Sequence, residues 1–180
     1  ILGEEDLTAF FRSGEKAPGR VGIGIEYERL PVNRQTGRAV PYAVPQSPAA
    51  RQRSTAPSVE RFLEHLARAG GWRHLLENGR IIALERAGSH VTLEPGAQVE
   101  LSGRVHATAL AARDEILDFV RDADSSAAAT GFAFLGMGCQ PFTEFSDIGW
   151  VPKGRYAIMA PWLARRGHLA HGMMKATAGC

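Results

Sequence analysis

Glu26, Glu28, Glu94 and Glu100 are the residues of this chain whose spacing could do chemistry. Glu26 and Glu28 lie in Val21-Gly22-Ile23-Gly24-Ile25-Glu26-Tyr27-Glu28-Arg29-Leu30-Pro31-Val32, a stretch rich in strand formers. Side chains alternate between the two faces of a strand, so these carboxylates project together. In Leu93-Glu94-Pro95-Gly96-Ala97-Gln98-Val99-Glu100-Leu101-Ser102-Gly103, Gln98 and Glu100 share one face and Val99 and Leu101 the other. Glu94 joins the polar set only if Pro95-Gly96 leaves the chain unrotated. Neighbouring carboxylates repel unless a cation neutralises them. Mg2+ prefers oxygen ligands and is commonly shared between a few carboxylates and substrate phosphates. Two such strands side by side, with Glu26 and Glu94 on neighbours, would floor a metal–nucleotide site. Antiparallel sheets also wet one face, so the same alternation describes a plain solvated surface, and spacing leaves both readings open.

Those strands need a scaffold. The pattern predicts a helix over Glu4–Ser13 with Leu7, Phe10 and Phe11 on one side, then a strand from Arg20 to Val32. Arg38–Tyr42 is expected to pair back after a turn at Asn33–Gly37, and Ala43–Pro57 reads as a loop. Ser58 is a good N-cap for a helix running to about Ala69. Trp72–Glu77 reads as a short helix closed by Asn78-Gly79, and Arg80–Arg86 and His90–Leu93 as a hairpin. Thr108–Ala128 is a long amphipathic helix with Leu110, Ile116, Leu117, Phe119 and Val120 as its apolar side. Gly131–Gln140 reads as a buried strand and Pro141–Pro152 as a loop. Lys153 to Tyr156 leads into a last helix carrying Ile158, Met159, Trp162 and Leu163. Early strands and frequent hairpins predict an α+β fold, an antiparallel sheet with helices packed on one face.

At 180 residues, 44% hydrophobic and 22% charged, the chain can build one sizeable core. A net charge of +2 gives no argument for a nucleic-acid or membrane partner, and none is expected. No apolar run is long enough to cross a bilayer. Cys139 and Cys180 make no disulfide framework; both are expected as small buried hydrophobes in a cytoplasmic, reducing setting. The start at Ile1 and the stop at Cys180 suggest a piece cut at both ends.

Other signals are weak. No phosphate loop is present, and Gly22-Ile23-Gly24 lacks the third glycine of a dinucleotide fingerprint. The six histidines show no zinc spacing with cysteine. Lys153 and Arg155 could hold phosphate or carboxylate, although a solvated loop describes them equally. Trp162, Met159, Met173 and Met174 read as core.

Four blocks carry a family likeness: Gly24-Ile25-Glu26-Tyr27-Glu28 with Val32-Asn33 and Thr36-Gly37; Leu93 to Gly103; Phe134-Leu135-Gly136-Met137-Gly138-Cys139-Gln140-Pro141; and Val151-Pro152-Lys153-Gly154-Arg155-Tyr156-Ala157-Ile158-Met159. Together they resemble the plant-type glutamate–cysteine ligase family, shared by plants and many proteobacteria. The likeness runs from Val21 onward and covers the N-terminal portion of a single ligase catalytic domain, whose C-terminal part lies outside this sequence.

The resemblance implies a glutamine-synthetase-like sheet cradling the active site. It implies the first step of glutathione biosynthesis: ATP phosphorylates the γ-carboxylate of glutamate, and the amine of cysteine attacks the γ-glutamyl phosphate. Phosphoryl transfer is mostly positioning and charge neutralisation, which gives the carboxylates a purpose. In this family, glutamates of the first two blocks hold Mg2+, which carries over to Glu26, Glu28, Glu94 and Glu100. Arg155 and Tyr156 become the candidate catalytic residues beside the substrate amino acids. Gln98, Met137, Gln140 and Lys153 become the candidate cofactor-binding residues. The expected small molecules are glutamate, cysteine and ATP with Mg2+. Plant members carry an aromatic where this chain has Cys139, so no redox switch carries over. Two other readings stay open: a ligase of the same superfamily using another amine, and a non-catalytic nucleotide-binding remnant.

Overall fold

The computed structural model describes residues 3–44 and 55–179. An open six-stranded antiparallel sheet organises it, in the order β2-β3-β4-β5-β1-β6. The strands are β1 (Glu26–Val32), β2 (Arg73–Glu77), β3 (Arg80–Arg86), β4 (Ser89–Leu93), β5 (Val99–Ser102) and β6 (Ala133–Leu135). The helices are α1 (Glu4–Ser13), α2 (Val59–Gly70), α3 (Ala109–Thr130), α4 (Gly154–Ala164) and α5 (Ala170–Lys175). This is the expected α+β class.

Tight turns set the sheet's order. Asn78-Gly79 and Ala87-Gly88 each place two successive residues at positive φ, the geometry of two-residue hairpin turns whose twist matches that of the strands. They fold β2 onto β3 and β3 onto β4. Trp72–Glu77 is therefore a strand from Arg73 and not the expected helix: Asn-Gly here reverses a hairpin instead of ending a helix. Between β4 and β5 the loop is Pro95-Gly96-Ala97. The amide of Ala97 donates to the Glu94 carbonyl at 2.9 Å and that of Glu94 to the Gln98 carbonyl at 3.0 Å, with Ala97 at φ 71°.

β1 joins two halves of the sheet. Its first residues pair with β5, Glu28 opposite Glu100, and its last with β6, Leu30 opposite Leu135. The strand is shorter than expected at its start, where only Ile23 bridges to His106. The expected return of Arg38–Tyr42 is one bridge, Val32 to Ala39. Much of the expected Ala43–Pro57 loop, residues 45–54, lies outside the described residues.

One face of the sheet is apolar and carries α2 and α3. Leu84, Val91, Leu93, Val99 and Leu101 join Phe62, Leu63, Leu66, Phe119, Ala123 and Ala127 in one core. Phe62, Phe132 and Phe134 meet edge-to-face, with centroids 5.3 to 5.6 Å apart. Ser58 stands at the N-cap of α2, yet its side chain makes no capping bond. The amides of Val59 and Glu60 instead donate to the carbonyls of Pro41 and Tyr42. Thr108 does cap α3, accepting from the Ala111 amide at 3.2 Å.

Several expected apolar faces do not pack. α3 buries Ala112, Phe119, Ala123, Ser126, Ala127 and Thr130, while Leu110 and Leu117 are exposed. Small side chains let α2 approach closely, so the seam follows size more than hydrophobicity. Leu7, Phe10 and Phe11 of α1 are exposed, as are Ile158, Trp162 and Met173, so the last two are not the core residues expected. The expected buried strand of Gly131–Gln140 reduces to three half-buried residues on the sheet edge. Cys139 is exposed and not a buried hydrophobe, whereas Cys180 lies outside the described residues.

Candidate active site on the polar face of the sheet

The register builds the site. Glu28 lies opposite Glu100, and Glu100 opposite Thr92, so three strands line up one polar row. A second row runs Glu26, Ser102, His90 and Glu85. The residues of opposite parity point to the other face: Arg29 pairs with Asp124 of α3 at 2.7 Å, and Ser89 with Glu115 of α3. Alternation thus separates the acids from the helices packed on the far side. Glu94 keeps the parity of Thr92, so Pro95-Gly96 does not rotate it away from the other acids.

The four glutamates share a field. Partial burial pushes the Glu28 carboxyl above its ordinary range; an amide hydrogen bond from Gly179 resists this, and Glu94, Glu100 and Glu26 reinforce it. Burial, then Glu100, pushes Glu94 up in the same way, against the pull of Lys153 and Arg155. Glu26 and Glu94 were expected on neighbouring strands, but β5 lies between β1 and β4. Among the described residues no three His, Cys, Asp or Glu side chains stand close enough to cage one ion. The set is an acidic floor with surplus negative charge. Its all-oxygen chemistry fits Mg2+, which takes one or two carboxylates and fills its remaining positions from phosphate and water.

Individual partners differ. Glu100 is 8% exposed and accepts from Thr92 Oγ1 at 2.6 Å and Ser102 Oγ at 3.1 Å. Glu28 accepts from the Gly179 amide at 2.7 Å, while its own amide donates to the Gly179 carbonyl. The segment 177–179 thereby lies along β1 beyond the end of β6. Glu26 is exposed at the mouth of the floor.

The end of α4 closes one side. Lys153 Nζ donates to the Leu93 carbonyl at 2.6 Å, and Tyr156 Oη donates to the same oxygen at 3.2 Å. Burial lowers the Lys153 ammonium and raises the Tyr156 phenol. Both side chains are committed to holding the residue before Glu94. Arg155 is free to act outward: its guanidinium is 65% exposed, stands 3.9 Å from Glu94 and is braced on Tyr156 Oη at 2.9 Å.

The remaining candidates sit further out. Gln98 is 2% exposed; its Oε1 accepts from the Gly96 amide, and its Nε2 donates to the carbonyls of Met174 at 3.2 Å and Thr177 at 2.7 Å. That amide fastens the β4–β5 turn to the end of α5. Gln140 is buried with Nε2 unpartnered, and its Oε1 accepts from the Phe142 amide. Met137 is exposed on the loop after β6. Thr92 and Ser102 join the site without any motif to mark them. Their signal was parity, since both share the face of Glu100.

A family model described as glutamate-cysteine ligase family 2 (GCS2) matches residues 22–180. The chain belongs to that family. A chloroplastic glutamate–cysteine ligase of Brassica juncea is 32% identical over 176 residues, covering 98% of this chain and 32% of the relative. Ligase A of Oryza sativa subsp. japonica, also named chloroplastic, is 31% identical over 173 residues, 96% of this chain and 32% of its own length. The Nicotiana tabacum ligase, again chloroplastic by name, is 31% identical over 173 residues, covering 96% of this chain and 30% of itself. The chain spans about a third of the length of these GCS2 relatives.

Those names overturn the expected cytoplasmic location, because the relatives are chloroplastic ligases. The expectation rested on sparse cysteines, which report redox conditions and not an address. Among the described residues of this GCS2 chain, no helix is long and apolar enough to cross a membrane.

Proposed function

We propose that this chain is the N-terminal portion of the catalytic domain of an ATP-dependent ligase that joins the γ-carboxylate of glutamate to the amine of cysteine, the first step of glutathione biosynthesis. The observation that carries the reading is the convergence of Glu26, Glu28, Glu94 and Glu100 on one sheet face, from two segments far apart in sequence, β1 and the β4–β5 hairpin. A remnant freed from catalysis has no reason to keep surplus negative charge there, since like charges on facing strands cost stability. The fold proposed is glutamine-synthetase-like, with this sheet as the wall of the site.

In this reading the glutamates would hold Mg2+ for use with ATP. When bound, the ion supplies charge neutralisation on the transferring phosphoryl group. The γ-carboxylate oxygen of glutamate takes the terminal phosphoryl group and ADP departs. The cysteine nitrogen then attacks the acyl carbon, loses a proton, and phosphate leaves. Arg155, exposed beside Glu94, is placed to bind an anionic group, a phosphoryl oxygen or a substrate carboxylate. Lys153 and Tyr156 serve by fixing the Leu93–Glu94 backbone.

The test is phosphate release from ATP by the whole protein. The reading requires release to depend on Mg2+, glutamate and cysteine together. Equal turnover with a different amine in place of cysteine would move the assignment to another ligase, and ATP binding without turnover would favour a non-catalytic remnant.

A further inference from the structure

Every acid of the floor is a candidate ligand, but among the described residues only Glu100 is held at both oxygens by side chains. Thr92 Oγ1 donates to Glu100 Oε2 at 2.6 Å, and Ser102 Oγ donates to Glu100 Oε1 at 3.1 Å. The two hydroxyls come from different positions, one across the sheet and one along the strand. Thr92 is the cross-strand partner of Glu100 on β4, whereas Ser102 is two residues along the same strand. A carboxylate on a strand ordinarily turns about its terminal bond with little resistance. One donor on each oxygen removes that freedom. Each oxygen has two acceptor directions, so one stays open on each for a cation or a water.

The donors are hydroxyls and not cations, and that choice matters. A lysine or arginine here would cancel the charge that draws a divalent ion. A hydroxyl fixes the geometry and leaves the charge in place. Partners that orient a metal-binding side chain commonly shift metal affinity by roughly 10–100-fold when removed.

We infer that Thr92 and Ser102 are positioning residues that pre-orient Glu100 for a divalent cation. The inference rests on the proposed ligase reading, which supplies the divalent cation; the two hydroxyl contacts to Glu100 stand without it. Because the Glu100 carboxylate is the buried centre of its row, between Glu28 and Thr92, its orientation sets where a bound ion sits relative to the other acids.

The deciding variants are Thr92→Val, which keeps shape and removes the donor, and Thr92→Ser, which keeps the donor and removes the methyl. Ser102→Ala is the companion. On the whole protein, Thr92→Val should raise the Mg2+ concentration for half-maximal ATP turnover by about 10-fold, within the range for such partners. Thr92→Ser should restore it, and the melting temperature should not track the change. A Mg2+ requirement unchanged in Thr92→Val and Ser102→Ala overturns the inference, as does a shift that Thr92→Ser fails to rescue. If the wild-type protein shows no ATP turnover, the ligase reading fails on its own. The positioning role is then read from Mn2+ binding by electron paramagnetic resonance: wild type must bind more tightly than Thr92→Val, and equal binding or none overturns it.

Discussion

Gly96→Ala is the sharpest test of how the acidic floor is held. A methyl on Gly96 would stand 2.1 Å from the Lys175 carbonyl oxygen and 2.9 Å from the carbon that bears it. Both sides of that clash are backbone, so no side chain can swing aside. Relief requires the β4–β5 turn and the end of α5 to separate by roughly 1 Å, since unstrained carbon contacts lie nearer 3.5 Å. The separation strains the Gln98 amide, which spans this gap to Met174 and Thr177. Overpacking of this kind costs about 1–3 kcal/mol, and each of the two weakened buried hydrogen bonds adds about 1 kcal/mol. A loss of roughly 3–5 kcal/mol corresponds to a fall in Tm of about 6–20 °C for a chain of this size. Near-ultraviolet circular dichroism during heating reads it. Gly136→Ala is the control, because a methyl there meets nothing within 4 Å. Should Gly96→Ala melt within about 2 °C of wild type, about one kcal/mol or less, the tight turn-to-helix packing would be refuted.

Three further outcomes follow from the same geometry. The folded state holds the Glu28 proton above the ordinary value of 4.5, so its stabilising contribution is full below that value and is lost as pH rises through the folded value; metal-free Glu28→Gln should therefore lose less Tm than wild type between about pH 4.5 and 7, and parallel curves would remove the argument. Arg155→Ala should raise the KM for an anionic substrate and leave Tm nearly unchanged, because the guanidinium is largely exposed; a large fall in Tm would mean its role is structural. Gly79→Ala, at φ 73°, should cost about 1–2 kcal/mol through left-handed strain; a melt equal to wild type would contradict this.

Much of this was legible in the sequence, for reasons that differ by residue. Parity alone put Glu26 with Glu28, and Gln98 with Glu100, because strand geometry admits no other arrangement. Whether Glu94 stayed with them depended on the Pro95-Gly96-Ala97 loop, and only the register decides that. Glu28 opposite Glu100 is a long-range pairing that no local pattern encodes. Trp72–Glu77 runs into a strand and not a helix because Asn78-Gly79, a pair that can also end a helix, here builds a reversal at positive φ. The family likeness makes Gln98 and Lys153 candidate cofactor-binding residues. Their hydrogen-bonding capacity instead goes to the backbone carbonyls of Met174, Thr177 and Leu93, partners invisible in sequence.

The alternation along β1 also bears on how such a chain can change over time. Glu26 and Glu28 face the floor, while Arg29, between Glu28 and Leu30, is buried on the other side against Asp124 and the ring of Phe134. Loss of a single codon within this strand would shift every later side chain to the opposite face. A glutamate would then enter the packed core and an arginine the acidic floor, exchanging the two electrostatic layers at a stroke. Point substitutions can drift through this strand, but changes of length cannot. Insertions and deletions among descendants of this sequence should therefore collect at its turns and stay out of the seven residues from Glu26 to Val32.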